Sequence, residues 1–278
     1  MKIAVLSGKG GAGKTLVAVN LAAAAGQATY IDCDVEAPNG RLFFRPQRCT
    51  ETTVTTPLPA FDTARCNGCR KCVDFCRFHA LVYIKGSPRV FPEVCHACGG
   101  CAMVCPVQAI TETARPVGVV ESGWHGGVHV VTGVLSPGEA SGIQVIHAAL
   151  TDGVADGGLC VIDCPPGSAC AVSESVSGAD YCVLVAEPSA FGFHNFRMVC
   201  ELVTLLQKPC GVVINKQLAP YAPLEDFCAE TGLPILLRLP YTPALAQKTA
   251  AGEIACEADE ELRRTFSELL GKIGGAFV

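Results

Sequence analysis

The sequence predicts an α/β protein: a doubly wound, mostly parallel sheet interrupted by a small cysteine-rich insert. Three observations lead there. Residues 1–34 read as strand, glycine loop, helix and strand. From about Pro116 onward, short apolar runs divided by glycines alternate with helical stretches. Between these parts the composition changes, and eight of the 18 cysteines fall between Cys66 and Cys105.

The elements follow in order. Lys2–Ser7 is short and apolar, and Gly8–Gly13 is a loop. Lys14–Ala25 is rich in Ala, Leu and Val, which suits a helix. Thr29–Ile31 is the next strand, with Asp32 and Asp34 at its end. A strand–helix–strand unit of this kind implies parallel pairing. Thr52–Pro59 carries Thr and Pro without helical periodicity and is expected to be a linker. After the cysteine segment, strands are expected at Gly118–Val120, Val128–Val134, Leu159–Ile162, Tyr181–Val185, Gly211–Ile214 and Ile235–Leu237. Helices are expected at Phe193–Leu206, Leu224–Glu230 and Asp259–Ile273. The division that results gives residues 1–59 and 114–278 to the α/β domain and 60–113 to the insert.

Bulk properties narrow the class. Half of the 278 residues are hydrophobic and 17% are charged, so a large core is available. A net charge of −5 argues against non-specific nucleic-acid binding, which needs a basic face. No run reaches the roughly 18 apolar residues of a spanning helix. The run Ile3–Leu6 leads straight into the glycine loop and reads as a strand, not a secretory leader. The cytoplasm is the expected location. In that setting 18 cysteines point to metal ligation or buried thiols and not to disulfides.

The first motif is a phosphate loop. Gly8, Lys9, Gly10, Gly11, Ala12, Gly13, Lys14 and Thr15 satisfy G-x-x-x-x-G-K-[ST] between a predicted strand and helix. Glycines let backbone N–H groups converge on phosphate oxygens, and the helix adds its positive end. Lys14 is expected on the β- and γ-phosphates and Thr15 on Mg²⁺. With Lys9 as a second lysine, the motif resembles the deviant Walker motif of the MinD/ParA superfamily, which also holds Mrp-type carriers and the nitrogenase iron protein. The resemblance implies a P-loop NTPase fold of the MinD type. It further implies that Lys9 reaches a partner's nucleotide in an ATP-dependent homodimer, or a heterodimer with a paralogue. Asp34 matches the switch I aspartate that positions water and helps hold Mg²⁺. Asp163, in Val161–Gly167, matches the Walker B aspartate on Mg²⁺. Asn215 fits the adenine contact, and Leu218 stands where a guanine site would want Asp, so ATP is preferred over GTP. Pro240 and Tyr241 lie where the family closes over the base. Phosphoryl transfer to water is the implied reaction, with Lys9, Lys14 and Asp34 as its catalytic residues.

The second motif is a doubled cysteine run. Cys66, Cys69, Cys72 and Cys76 repeat as Cys95, Cys98, Cys101 and Cys105, 29 residues on. This C-x₂-C-x₂-C-x₃-C spacing is that of bacterial ferredoxins, in which the fourth cysteine of each run serves the other cluster. Two [4Fe–4S] clusters are therefore expected, one on Cys66, Cys69, Cys72 and Cys105, the other on Cys95, Cys98, Cys101 and Cys76. Zinc is the competing reading. Arg77 stands where the ferredoxin pattern commonly has Pro. The chain resembles, from end to end, a MinD-like ATPase with an inserted ferredoxin.

Of the other cysteines, Cys33, Cys160, Cys182, Cys49, Cys200, Cys210, Cys228 and Cys256 are expected to be small buried hydrophobes. Cys164 and Cys170 flank the Walker B loop, and Cys170 has the offset of a cluster ligand in the nitrogenase iron protein; a dimer-bridging cluster is weighed there. His125 and His129 read as ordinary surface or core side chains.

Three functions are compared. In the first, ATP-driven dimer switching gates electron transfer to a protein partner, with coupling from Asp34–Asn39 through the Thr/Pro linker. In the second, the clusters are cargo delivered to an apo-acceptor. The third is a spatial organiser held to a membrane by the tail Leu262–Val278, where Leu269, Leu270, Ile273, Phe277 and Val278 offer apolar contact but few basic residues accompany them.

Overall fold

The computed structural model describes residues 1–154 and 158–275. The first half runs β1 (Lys2–Leu6), α1 (Lys14–Ala25), β2 (Ala28–Asp32), α2 (Gly40–Phe44), β3 (Gln47–Phe61), α3 (Lys71–Phe75), β4 (Leu81–Ile84), β5 (Ser87–Val90), α4 (Gly100–Met103), β6 (Ile110–His125) and β7 (Val128–Leu135). The second runs α5 (Ile143–Gly153), β8 (Cys160–Asp163), α6 (Cys170–Ser177), β9 (Tyr181–Ala186), α7 (Ala190–Leu205), β10 (Cys210–Gln217), α8 (Ala222–Thr231), β11 (Ile235–Pro240), α9 (Pro243–Ala250), α10 (Ala255–Ala258) and α11 (Glu260–Gly275).

Among the described residues the main sheet has nine strands in the order β11-β10-β9-β1-β8-β2-β7-β6-β3. Pairing is parallel from β11 to β7 and antiparallel across β7, β6 and β3. The central strands are unbroken apolar runs because helices cover both their faces: Ile3, Ala4, Val5 and Leu6 are each fully buried. On one face Ala4, Leu6, Ile162 and Leu184 pack with Ile146, Phe196 and Val203. On the other Ile3, Val5 and Tyr30 pack with Val17, Leu21, Phe266 and Ile273. Each such aliphatic side chain contributes about 1.5–3 kcal/mol on burial.

The C-terminal helix spends its apolar face on this second layer. Phe266, Leu269 and Ile273 are buried there and Leu270 packs against them. The apolar contacts expected of a membrane tail are thus used in the core; Phe277 and Val278 lie outside the described residues. No described helix is long and apolar enough to cross a membrane.

The expected linker is a correction. Thr52–Pro59 is not a loose connection but the middle of β3, paired with β6 from Gln47↔Trp124 to Phe61↔Ile110. Val54 and Thr56 are buried and Thr55 and Pro57 exposed, the alternation of a half-buried strand. Its threonines are β-branched and favour a strand, and Pro57 and Pro59 are tolerated because β3 is the sheet edge. The expected strand Gly118–Val120 is likewise a fragment of the 16-residue β6. Residues 62–109 thus hang from the far end of a two-stranded extension of the main sheet.

That region is built twice. Left-handed backbone occurs at Gly68, Arg70 and His79, and again 29 residues later at Ala97, Gly99 and Gln108. The N–H of Phe91 donates to Ala80 O, and that of Asp62 to Ala109 O, both at 2.8 Å. The β4–β5 pair Leu81↔Val90 repeats as Ile110↔Phe61. Its own apolar core is small: Cys72, Leu81 and Ile110 are buried, with Phe61, Val73 and Val90 partly so.

Candidate functional site

The phosphate loop leaves β1 and enters α1. Gly13 has φ +93° and faces Asn215; a Cβ there would lie 2.0 Å from Asn215 Nδ2, so only glycine fits. No acidic residue occupies the first turn of α1, and its positive end stays available to an anion. The loop lines a cavity of about 960 Å³, within the size of a nucleotide pocket, together with Asp34, Asn215, Pro240 and Tyr241. Thr242 follows that wall and caps α9, accepting from Leu245 N–H at 3.2 Å.

Behind the loop lies a buried charge cluster. Lys14 Nζ is 2.5 Å from Asp163 Oδ1 and 4.0 Å from Asp34 Oδ2. The Tyr30 hydroxyl donates to Asp163 Oδ2 at 2.8 Å. Asp32 accepts from Asp34 N–H at 3.1 Å and from Gly40 N–H at 2.8 Å, tying both ends of the Asp34–Asn39 segment. Burial, with Asp163 alongside, lifts the Asp32 carboxyl to about 7. Burial also raises Asp34, against the pull of Lys14. For Lys14 burial works against the charge, but Asp163, Asp32 and Asp34 outweigh it and hold the ammonium above its usual range. Burial, with Asp163 and Asp32 alongside, keeps Tyr30 a phenol, and therefore a donor.

Lys9 sits apart from this cluster. Its Nζ is 3.2 Å from Glu187 Oε1 and 5.0 Å from the centre of the Phe191 ring. Lys216 approaches the other Glu187 oxygen at 3.7 Å and donates to Gly11 O at 2.6 Å. Asn215 Nδ2 donates to Ala12 O at 2.8 Å, so its side chain braces the loop itself. The structure therefore gathers the loop, Lys14, Thr15, Asp34, Asp163 and Asn215, and holds Lys9 outward on Glu187. Sequence reasoning missed Tyr30, Glu187 and Lys216. Their partners are 133, 178 and 205 positions away, and no local pattern signals such contacts.

The eight cysteines of the doubled run form two groups, and the groups are crossed. Cys66, Cys69, Cys72 and Cys105 line one tight cavity of about 20 Å³, beside Tyr83 and Arg70. Cys76, Cys95, Cys98 and Cys101 line another of about 230 Å³. The Ala109 N–H donates to Cys105 Sγ at 3.2 Å. Cys69 and Cys98 are the exposed members. Among the described residues no three His, Cys, Asp or Glu converge as a site for one metal ion.

Elsewhere Cys33, Cys160, Cys182, Cys200, Cys228 and Cys256 are buried as expected and Cys210 partly so, but Cys49 is exposed, near the free edge of the sheet on β3. Cys164 is fully buried and faces the core, whereas Cys170 is exposed at the start of α6. Their placement gives no common surface for a bridging cluster. His125 meets Glu257 at 3.0 Å, and His129 meets Ser122 at 2.7 Å.

Comparison with known proteins places this geometry. A family model for the CobQ/CobB/MinD/ParA nucleotide binding domain matches residues 3–255. An uncharacterised protein of Methanocaldococcus jannaschii is 30% identical over 223 residues, 78% of each chain. A second from the same organism is 23% identical over 221 residues, 78% of this chain and 80% of that one. Among solved structures, the cell division ATPase MinD of Pyrococcus furiosus has a TM-score of 0.61 at 18% identity, covering 99% of this chain and 98% of its own. MinD of Pyrococcus horikoshii, in complex with Mg-ADP, has a TM-score of 0.61 at 16% identity, with 98% and 95% covered. These two likenesses establish the fold.

Proposed function

The chain belongs to the CobQ/CobB/MinD/ParA nucleotide-binding family, and from that premise we propose that it is a Mg²⁺-dependent ATPase whose residues 60–113 form a ferredoxin-like insert for two [4Fe–4S] clusters. In this reading ATP lies in the large cavity with its phosphates on the loop N–H groups. Lys14 leaves Asp163 for the β- and γ-phosphates, which frees Asp163 to hold Mg²⁺ through water beside Thr15. Asp34 orients the attacking water, and the γ-phosphoryl passes to it with ADP leaving. Asn215, Pro240 and Tyr241 form the base side. Lys9 leaves Glu187 to act on the nucleotide of a second subunit, so hydrolysis requires a dimer.

One observation carries the insert's role: two crossed cysteine quartets around two cavities, on loops with the same left-handed positions. The doubled C-x₂-C-x₂-C-x₃-C spacing, with the fourth cysteine of each run crossed to the other quartet, suits two polynuclear clusters better than zinc. The tighter cavity has to widen on loading. The small apolar core supports the same reading, because a unit of this size needs a staple and its cysteines are free thiols. When bound, the clusters supply one-electron chemistry at low potential. The chain's part is to hold them near the surface, where Cys69 and Cys98 are exposed, so a redox protein partner is the expected recipient.

The exposure of Cys69 and Cys98 favours a second reading, delivery of a cluster to an apo-acceptor. Transfer from reconstituted protein to an apo-acceptor, against one-electron reduction of a loaded carrier, separates the two.

Anaerobic reconstitution followed by iron and sulfide analysis and EPR tests the main reading. About eight iron and eight sulfide per chain are expected. Cys66→Ser and Cys105→Ser should disturb one EPR signal, and Cys76→Ser and Cys95→Ser the other. Stoichiometric zinc without labile sulfide overturns it.

A further inference from the structure

The nucleotide switch and the second cysteine quartet are joined by an unbroken series of contacts that does not run along β3. Val35, next to Asp34, accepts at its carbonyl from Leu135 N–H at 2.9 Å. Its side chain lies so close to Gly133 and Gly142 that a Cβ on either would come within 2.7 Å of it. The segment after Leu135 is pinned in turn: Ser136 N–H donates to Val117 O at 2.9 Å, and Glu139 N–H donates to Ser136 O at 3.3 Å. Glu139 then takes the Arg115 guanidinium in both hands, Nη1 to Oε1 at 2.5 Å and Nη2 to Oε2 at 2.6 Å. Arg115 Nη2 also donates to Pro92 O at 3.4 Å, the carbonyl that accepts the Cys95 N–H at 3.3 Å. Arg115, Glu139, Cys95 and His96 all line one cavity of about 120 Å³ between insert and sheet.

The pair suits a joint. Both side chains are mostly shielded, at 22% and 13% exposure, so the ion pair is weakly screened. A bidentate guanidinium–carboxylate contact fixes angle as well as distance. Glu139 belongs to the segment the switch holds, whereas Arg115 sits on β6 beside the turn that carries Cys95.

We propose that the Arg115–Glu139 ion pair links the nucleotide switch to the Cys76, Cys95, Cys98 and Cys101 quartet, as a pair of positioning residues. A shift of the Asp34–Asn39 segment on nucleotide binding moves residues 135–142 and changes how far Glu139 neutralises Arg115. The turn at Cys95 moves with it, and more or less positive charge reaches the quartet. This rests on the reading of that quartet as a cluster site. Among the described residues the hydrogen bonds traced from the 135–142 segment lead to Cys95 and not to Cys66, Cys69, Cys72 or Cys105, so one of the two sites responds.

The test uses the full chain with clusters reconstituted, titrated with dithionite and followed by EPR, with and without ATP and Mg²⁺. Iron and sulfide analysis of the unaltered protein comes first; absence of clusters there refutes the cluster reading and this inference with it, before any variant is made. With clusters present, ATP affinity should differ between oxidised and reduced protein on the order of fivefold or more, as linkage requires. Arg115→Gln should bring that ratio to about one and lower the potential of one signal only. Glu139→Gln should raise the same potential, and Arg115→Lys should restore part of the response. Amide exchange over residues 92–96 gives a readout that needs no iron: ATP should change it in the unaltered chain and not in Glu139→Gln. Variants that load iron fully and keep both potentials and the whole ATP response overturn the proposal.

Discussion

Asp163 has both carboxylate oxygens engaged, one by Lys14 and one by Tyr30, and its side chain is wholly buried. In the proposed mechanism, where Lys14 turns to phosphate, Tyr30 is the contact that would still orient the Asp163 carboxylate. Tyr30→Phe removes it and leaves a buried oxygen without its donor. Stability is expected to fall by about 1–3 kcal/mol. The turnover number should drop roughly tenfold, about 1.4 kcal/mol, with a higher Mg²⁺ requirement. Thermal melts and a Mg²⁺ titration of ATPase activity check both; a normal Mg²⁺ requirement with only the melt changed would reduce Tyr30 to packing. At this scale spacing singled out Lys14, which the structure places beside Asp163, and the doubled cysteine run, which it gathers in two crossed groups. The sequence was silent on Tyr30 and Glu187 because folding alone brings them to the loop. It also misjudged Cys49, since a solitary cysteine gives no sign of its side of a strand.

Helix and strand periodicity fared best where burial is uniform. α1 spans Lys14–Ala25, as its composition implied, and the buried parallel strands lie where apolar runs lay. The edge was harder. Prolines in 52–59 suggested a break, yet an edge strand gives up nothing to a missing N–H on its free side. The consequence is mechanical: the insert is carried on paired strands, not on a tether. Because Asp62 N–H closes on Ala109 O, residues 62–109 leave and return at one point. Replacing them by a short turn between Phe61 and Ile110 should leave the sheet intact. The shortened chain is expected to bind ATP with an affinity within a few-fold of the original and to bind no iron. Fluorescent-nucleotide titration and iron analysis decide this, and loss of ATP binding would mean that the insert supports the nucleotide half.

Across the whole molecule the free thiols bear on alkaline stability. Burial lifts Cys228 and Cys256 to about 11, and Cys160 and Cys182 to about 12. An unfolded chain gives up these protons near pH 9, so between about 9 and 12 the native state holds more protons than the unfolded one. Their contribution is therefore complete below about pH 9 and is lost as pH rises through the folded values. Melting temperature should decline from pH 8 to 10, and Cys256→Ala, though less stable at every pH, should show a shallower decline. An equal slope in that variant would assign the effect to other groups.

The doubled insert has one more implication, which concerns the protein's lifetime. Residues 62–109 have little apolar core of their own, so in the proposed function their order depends on the clusters that their cysteines hold. A cell short of iron, or one whose clusters have been destroyed by oxygen, would then carry a chain with a sound nucleotide half and a frayed protrusion. Proteases cut at such places. In that reading the abundance of the intact chain would follow the supply of iron.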